Sequence, residues 1–270
     1  MEISISNIAW DPKQDREVAT LLNQYAVKYI DIAPSKYFPK IDLATEQDIL
    51  AVKQFWNNQG IHFLGMQSLL FGTQNLNVFA AKEIQETMLA HLKNVCHIAN
   101  VLGVEKLVFG SPKNRDRSGL TDQETEEKAC EFFTQLGNIA LTENVIICLE
   151  PNPVCYGANF MTTTTETWQM VKKINHKAIK MQLDTGAISI NKENISQILS
   201  FAKNEIGHIH LSEPKLVPVG SVESEHYLFS RAIQQELNGA KATIEMLTSS
   251  PDLALQEIKN TLEFVTEIYK

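Results

Sequence analysis

Four short segments in the second half of the chain end on, or close to, a side chain able to bind a cation or move a proton. Val145–Glu150 closes with Glu150, and Ile179–Asp184 closes with Asp184. His208–Ser212 carries His210, and Ala242–Met246 carries Glu245. Taken singly, a carboxylate after an apolar run caps the next helix or lies in solvent. Taken together, three carboxylates at one low-dielectric mouth repel one another strongly. A divalent cation removes that cost. Three carboxylates and one imidazole form a hard, oxygen-rich donor set suited to one Mn²⁺, Mg²⁺ or Co²⁺. Zinc fits less well, because its structural sites favour more sulfur or histidine. Such a site suits acid–base chemistry beside a carbonyl. A proton α to a ketone is too weakly acidic for an unaided carboxylate, but a cation on the carbonyl and its neighbouring hydroxyl stabilises the enediolate as a Lewis acid. One carboxylate removes the proton, and it or the other returns it. Return from the opposite face inverts that carbon; return to the neighbouring carbon moves the carbonyl. These residues admit both.

Other polar residues stand where they can meet a substrate. Asn152 lies two positions after Glu150, so a continued extended chain points it to the same side. Gln67 closes His62–Gln67 and can hydrogen-bond hydroxyl groups; a polar residue turned to the interior is the alternative. Lys36, in Pro34-Ser35-Lys36, and Lys113, in Gly110-Ser111-Pro112-Lys113-Asn114-Arg115, can meet a phosphate or carboxylate. Arg115 and Arg117 read as solvated loop charge. His208 shares a strand face with His210 one layer deeper and reads as a hydrogen-bonded core histidine. Phe38, Trp56 and Phe71 read first as core packing and second as an apolar wall for a ligand. Cys96, Cys130, Cys148 and Cys155 include no CxxC pair, form no disulfide framework, and have no dedicated base at a recognisable spacing.

The strands that must position these side chains recur along the whole chain. Ile3–Ile8, Tyr29–Ala33, His62–Gln67 and Lys106–Gly110 precede the four segments above, giving eight β-rich runs. Several are nearly continuous apolar runs, as in strands covered on both faces. Helical spacing lies between them, as in Val18, Leu21, Leu22 and Tyr25, or Met88, Leu92, Val95 and Ala99. Thr121 with Glu124 reads as a capping box opening a helix through Asn138, and Thr45 with Asp48 as a weaker one. Ser250-Pro251 suits an N-cap and first helical position before Leu255, Ile258, Leu262 and Val265. Eight βα units without a composition shift predict a single TIM-barrel domain, a closed (β/α)8 of the α/β class spanning residues 1–270. An open doubly wound sheet is the alternative, but it often carries a glycine-rich loop after its first strand, and Asn7-Ile8-Ala9-Trp10-Asp11 has no glycine. Connections into strands look short, with Gly60, Gly103 and Gly207 at helix ends. Connections leaving strands are long and polar: Ser68–Phe79, Ser111–Leu120, Asn152–Thr165 and Glu213–Glu225. In a barrel these collect on the mouth where active sites are built.

Composition sets the outer limits. A chain of 270 residues that is 44% hydrophobic and 21% charged is not disordered. A net charge of −8 argues against binding the phosphate backbone of nucleic acid. No apolar run approaches the roughly 20 residues that span a bilayer. Met1-Glu2-Ile3-Ser4 lacks the basic and apolar regions of a signal peptide. The expectation is a cytoplasmic protein with no membrane or nucleic-acid partner.

The motifs Leu149-Glu150-Pro151-Asn152-Pro153, Leu183-Asp184-Thr185-Gly186, His208-Ile209-His210 and Ile244-Glu245 stand in order at barrel spacing. In them the chain resembles the xylose-isomerase-like TIM-barrel superfamily of sugar isomerases and epimerases along essentially its whole length. The resemblance implies that Glu150, Asp184, His210 and Glu245 ligate one divalent metal. It also implies that Glu150 and Glu245 exchange protons with opposite faces of the substrate carbon, as in the ketose 3-epimerase branch. The implied partner is a small carbohydrate, and a homo-oligomer is common among relatives, although nothing in this sequence specifies one. The chain departs from the family pattern in three places. Ala187 stands where many relatives have a histidine that contacts substrate, and Glu213 stands where many have an aspartate. Asn152 and Tyr156 occupy the region where the epimerase branch often has a second glutamate, so Tyr156 joins the substrate-contact candidates. The alternatives are a dehydratase of the inosose type on the same fold and a diverged barrel that binds a metabolite without turnover. Cleavage of abasic DNA, as by endonuclease IV, would need a histidine-richer cluster and a basic groove.

Overall fold

Strand β1 (Glu2–Ser6) pairs in parallel with β2 (Tyr29–Ile32). The ladder continues through β3 (His62–Met66), β4 (Lys106–Phe109), β5 (Ile146–Leu149), β6 (Ile179–Asp184), β7 (Ile206–Ser212) and β8 (Lys241–Glu245). β8 pairs back onto β1 and closes the barrel. The computed structural model describes residues 1–270, and the closed eight-stranded parallel barrel predicted from the sequence is the observed fold.

Nine α-helices surround the strands: α1 (Asp15–Gln24), α2 (Glu46–Asn58), α3 (Lys82–Leu102), α4 (Asp122–Thr142), α5 (Thr164–Ile174), α6 (Thr185–Asn191), α7 (Ile195–Ala202), α8 (His226–Glu236) and α9 (Ala254–Tyr269). Both sequence-level capping boxes form, Thr45 with Asp48 and Thr121 with Glu124. α4 runs past Asn138 to Thr142, since Leu136 and Ala140 continue its buried stripe. α3 ends at Gly103, whose φ of +83° suits a residue without a Cβ. Two expectations are corrected. Gly207 lies inside β7 rather than at a helix end, and a Cβ there would crowd Cys148 and Lys180. Ser250-Pro251 opens a turn instead of capping α9, which starts at Ala254. The N-terminal turn of α9 is tied down by Glu257, which accepts from Ser249 N at 2.8 Å and Ser249 Oγ at 2.6 Å.

The side chains of the strands divide into two sets. Ile3, Ile5, Ile30, Ile32, Ile209, Leu211 and Ile244 are buried in the apolar core. The residues alternating with them are polar: Ser4 and Ser6 on β1, Asp31 on β2, His208, His210 and Ser212 on β7, Thr243 and Glu245 on β8. Hydrogen bonds from Ser4, His208 and Thr243 to Asp31 show that this second set meets across the barrel. Barrel interiors are commonly filled with Val, Ile and Leu; here the interior carries hydroxyls, imidazoles and carboxylates, buried but mutually bonded. No helix is long and apolar enough to cross a membrane.

Candidate metal centre

Each of the four strand-end residues is delivered by its own local structure. β5 ends at Leu149, and Glu150 is the first residue beyond it, its N–H donating to Phe109 O at 3.2 Å. Gly110 lies beside it on the neighbouring strand end, where any Cβ would overlap the Glu150 carboxylate. Asp184 closes β6 and also caps α6: its Oδ1 accepts from Ala187 N at 2.6 Å and from Ser212 Oγ at 2.9 Å. The capping role and the cluster role therefore coexist in one carboxylate, whose Oδ2 also accepts from Gln182 Nε2 at 3.5 Å. His210 is fully buried on β7. Glu245 ends β8, and Gln67 Nε2 donates to its Oε1 at 2.5 Å.

Glu150, Asp184, His210 and Glu245 offer donor atoms that all lie within 4.8 Å of one another. Burial pushes the Glu150 carboxyl well above the usual carboxylate range, and the Glu245 and Asp184 charges push it further. Asp184 is raised for the same two reasons, burial and then Glu245. Burial alone would favour neutral His210, but the Glu245 carboxylate, with Asp31 behind it, holds the imidazole well above its ordinary value. Burial would likewise raise Glu245, yet His210 outweighs it and keeps that carboxyl low. Burial and mutual repulsion thus favour the neutral forms of Glu150 and Asp184, while the facing carboxylates favour the charged form of His210. Neither ring nitrogen of His210 has a hydrogen-bond partner in the protein. A buried, unpartnered imidazole facing three carboxylates fits a divalent cation.

Two cavities meet at this cluster. One, of about 210 Å³, is lined by Gln67, Leu69, Leu70, Phe71, Phe109 and Lys113. The other, of about 370 Å³, is lined by Asn152, Tyr156, Ala187, Glu213, Lys215 and Leu216. Gly110, Glu150 and Glu245 line both, so the cluster sits at the junction of a two-sided cleft. The structure therefore brings Gln67, Lys113, Asn152 and Tyr156 to the cleft beside the four donors. Lys36 is elsewhere. Its ammonium donates to Asn7 O at 2.7 Å and also to Trp10 O, which ties the β1 loop to the turn after β2. It lines neither cavity.

Other residues differ from their sequence reading. Arg115 is not solvated: it is 1% exposed and donates from a terminal nitrogen to Glu150 O at 2.7 Å. The 3₁₀ turn Pro112–Arg115 after β4 folds it under the rim. His208 is the hydrogen-bonded core histidine expected, with Nε2 2.7 Å from Asp31. Trp56 and Phe38 belong to the core, whereas Phe71 is 73% exposed at the cavity edge. Three residues of the site were not singled out by sequence: Asp31, Ser212 and Lys215. Asp31 had one signal, a lone charge in the alternating run Tyr-Ile-Asp-Ile. Lys215 sits at φ +64° and Leu216 at φ +55°, a left-handed pair that non-glycine residues seldom adopt. Tyr156 OH accepts from Lys215 N at 2.7 Å and helps to hold it.

The family model described as "xylose isomerase-like TIM barrel" matches residues 20–265. Among solved structures, the chain superposes on D-psicose 3-epimerase from Clostridium cellulolyticum H10, crystallised with D-tagatose, with a TM-score of 0.82 and 16% identity over 100% of both chains. It superposes on the 3-keto-D-glucoside 4-epimerase YcjR from E. coli with a TM-score of 0.81 and 14% identity over 99% of each chain. The IOLI protein, solved with a bound zinc atom, gives 0.73 and 17% over 100% of this chain and 99% of that one. At such identities the likeness is one of fold. The comparison with curated proteins gives no match.

Proposed function

The chain belongs to the xylose isomerase-like TIM-barrel family, and from that premise we propose that it is a divalent-metal-dependent isomerase or epimerase acting on a sugar or sugar derivative. The observation that carries this reading is the convergence of Glu150, Asp184, His210 and Glu245 at the junction of two cavities. Those four residues would hold the ion, which when bound supplies Lewis-acid stabilisation of negative charge developing on the substrate oxygens.

The remaining chemistry belongs to the side chains. Glu150 and Glu245 both face the cleft, so each can exchange a proton with a substrate held there. Gln67 holds the Glu245 carboxylate in place through Oε1, and that carboxylate takes a proton from the carbon beside the carbonyl. Glu150 returns a proton from its own side of the cleft. Asn152, Tyr156, Gln67 and Lys113 are the proposed substrate contacts. Lys36 is left out, because its ammonium is committed to backbone carbonyls. Ala187, small and at the cavity wall, leaves room where a bulkier contact would stand. Residues 1–270 act as one domain in this scheme. The epimerases of D-psicose and of 3-keto-D-glucoside that share the fold support a ketone-bearing substrate.

The test is protein stripped of metal, reloaded with Mn²⁺, Mg²⁺ or Co²⁺, and incubated in heavy water with a panel of ketoses and keto-sugar derivatives. Metal-dependent deuterium uptake at the carbon next to the carbonyl is expected. A product lighter by one water would assign the dehydratase chemistry instead, and binding without exchange would assign a metabolite-binding barrel.

A further inference from the structure

The barrel interior beneath the four donors holds a carboxylate that the proposed chemistry does not use. Asp31, in the middle of β2, is fully buried. Its Oδ1 accepts from Ser4 Oγ at 3.1 Å and from Thr243 Oγ1 at 2.8 Å. Its Oδ2 lies 2.7 Å from His208 Nε2 and 3.9 Å from His210 Nε2. A side chain on Gly65 would overlap both Asp31 and the His208 ring, so β3 is bare at that point.

Asp31, His208 and His210 are close enough to suggest a cation site of their own. Their hydrogen bonds argue against it. Three donors from β1, β7 and β8 already engage both Asp31 oxygens, and an ion there would have to displace them. The more informative feature is that His210 stands between two carboxylates. Its Nδ1 is 3.3 Å from Glu245 Oε2, and its Nε2 faces Asp31. A neutral imidazole carries one proton and one lone pair. Glu245 alone would draw the proton to Nδ1, the nitrogen on the side of the other carboxylates. Ligation from that side needs the lone pair there and the proton on Nε2.

We propose that Asp31 is a positioning residue that selects the Nε2–H form of His210 and so presents Nδ1 to a cation held with Glu150, Asp184 and Glu245. Ser4, Thr243 and His208 hold the Asp31 carboxylate in place for this. The inference rests on the cation-binding reading above and adds to it a residue outside the ligand set. A carboxylate behind a ligating histidine fixes its tautomer and ring orientation and raises its basicity, and losing one typically costs 10–100-fold in metal affinity.

The experiment is calorimetric titration of metal-free protein with Mn²⁺, comparing wild type, Asp31→Asn and Ser4→Ala. Asp31→Asn is expected to bind about 10–100-fold more weakly. Ser4→Ala, which leaves Thr243 and His208 holding the carboxylate toward His210, is expected to lose less affinity than Asp31→Asn, and an equal or larger loss would overturn the assignment to the carboxylate. Equal affinity in Asp31→Asn and wild type would overturn the inference while leaving the metal site standing; no uptake by wild type would overturn both. A second readout does not depend on any variant folding. In ¹⁵N-histidine-labelled, Mg²⁺-loaded wild type, the His210 ring should show a protonated Nε2, and a protonated Nδ1 would overturn the assignment.

Discussion

Glu150 and Glu245 share one cluster in unequal surroundings: Glu245 has a buried imidazole 3.3 Å away and a glutamine on its other oxygen, whereas Glu150 has mainly like charges. General acid–base groups typically contribute 10²–10⁴-fold to rate. Glu245→Gln is therefore expected to lower substrate deuterium exchange by about 10²–10⁴-fold, measured by mass spectrometry in heavy water. Unchanged exchange would remove Glu245 from the mechanism. The cysteines give an independent check at the same scale. Burial pushes the Cys96 and Cys148 thiols up to about 12. A raised thiol has less thiolate at neutral pH, and the thiolate is the reactive form. Exposed Cys155 should react with an aromatic disulfide reagent first, the half-buried Cys130 more slowly, and Cys96 and Cys148 only on unfolding. Fast labelling of Cys148 in folded protein would contradict its place in the barrel wall.

The elements stand or fall on their buried stripes. α9 lies against α1 and α8, and Leu262 on its inner face is fully buried. Leu262→Ala should destabilise the protein by about 2–5 kcal/mol, read from urea denaturation; a loss below 1 kcal/mol, on the order of an exposed site, would show that α9 is not packed as described. Helical stripes of this kind, the capping boxes and the eight β-rich runs were legible in the sequence because they depend on neighbours within a few positions. The four strand-end donors were legible too, since each follows an apolar run. Asp31 was not, because its partners Ser4, His208 and Thr243 come from β1, β7 and β8, and only the closed barrel brings them together. Arg115 misled for a related reason: a loop arginine reads as solvated until the turn after β4 is seen to fold it onto the Glu150 carbonyl. Ser250-Pro251 carried a valid N-cap signal that lost to the Ser249–Glu257 contacts.

At the scale of the whole molecule, the barrel trades stability for a concentrated negative site. Glu150 and Asp184 have folded values above their unfolded ones, so their contribution to stability is fully present below the ordinary carboxylate range and is lost as pH rises, through about 8 for Glu150. Asp31 works in the opposite sense: burial would raise it, but His208 and His210 together outweigh burial and hold it below the ordinary value, so its contribution is present at neutral pH and lost on acidification. A divalent cation replaces the proton that Glu150 would otherwise retain, so metal binding should stabilise the fold more at pH 8 than at pH 5. Metal at a hundred times its Kd adds about 2.7 kcal/mol, which for a chain of this size is a rise of several degrees. A melting temperature indifferent to Mn²⁺ at pH 8 would contradict this balance.

Where an ion binds decides the chemistry of this barrel. Crystals grown from metal-stripped protein and soaked in Mn²⁺ can be measured at the manganese absorption edge. One anomalous peak per chain is expected among the carboxylates of Glu150, Asp184 and Glu245 and the Nδ1 of His210. No peak in that position, with the four side chains ordered, would contradict it.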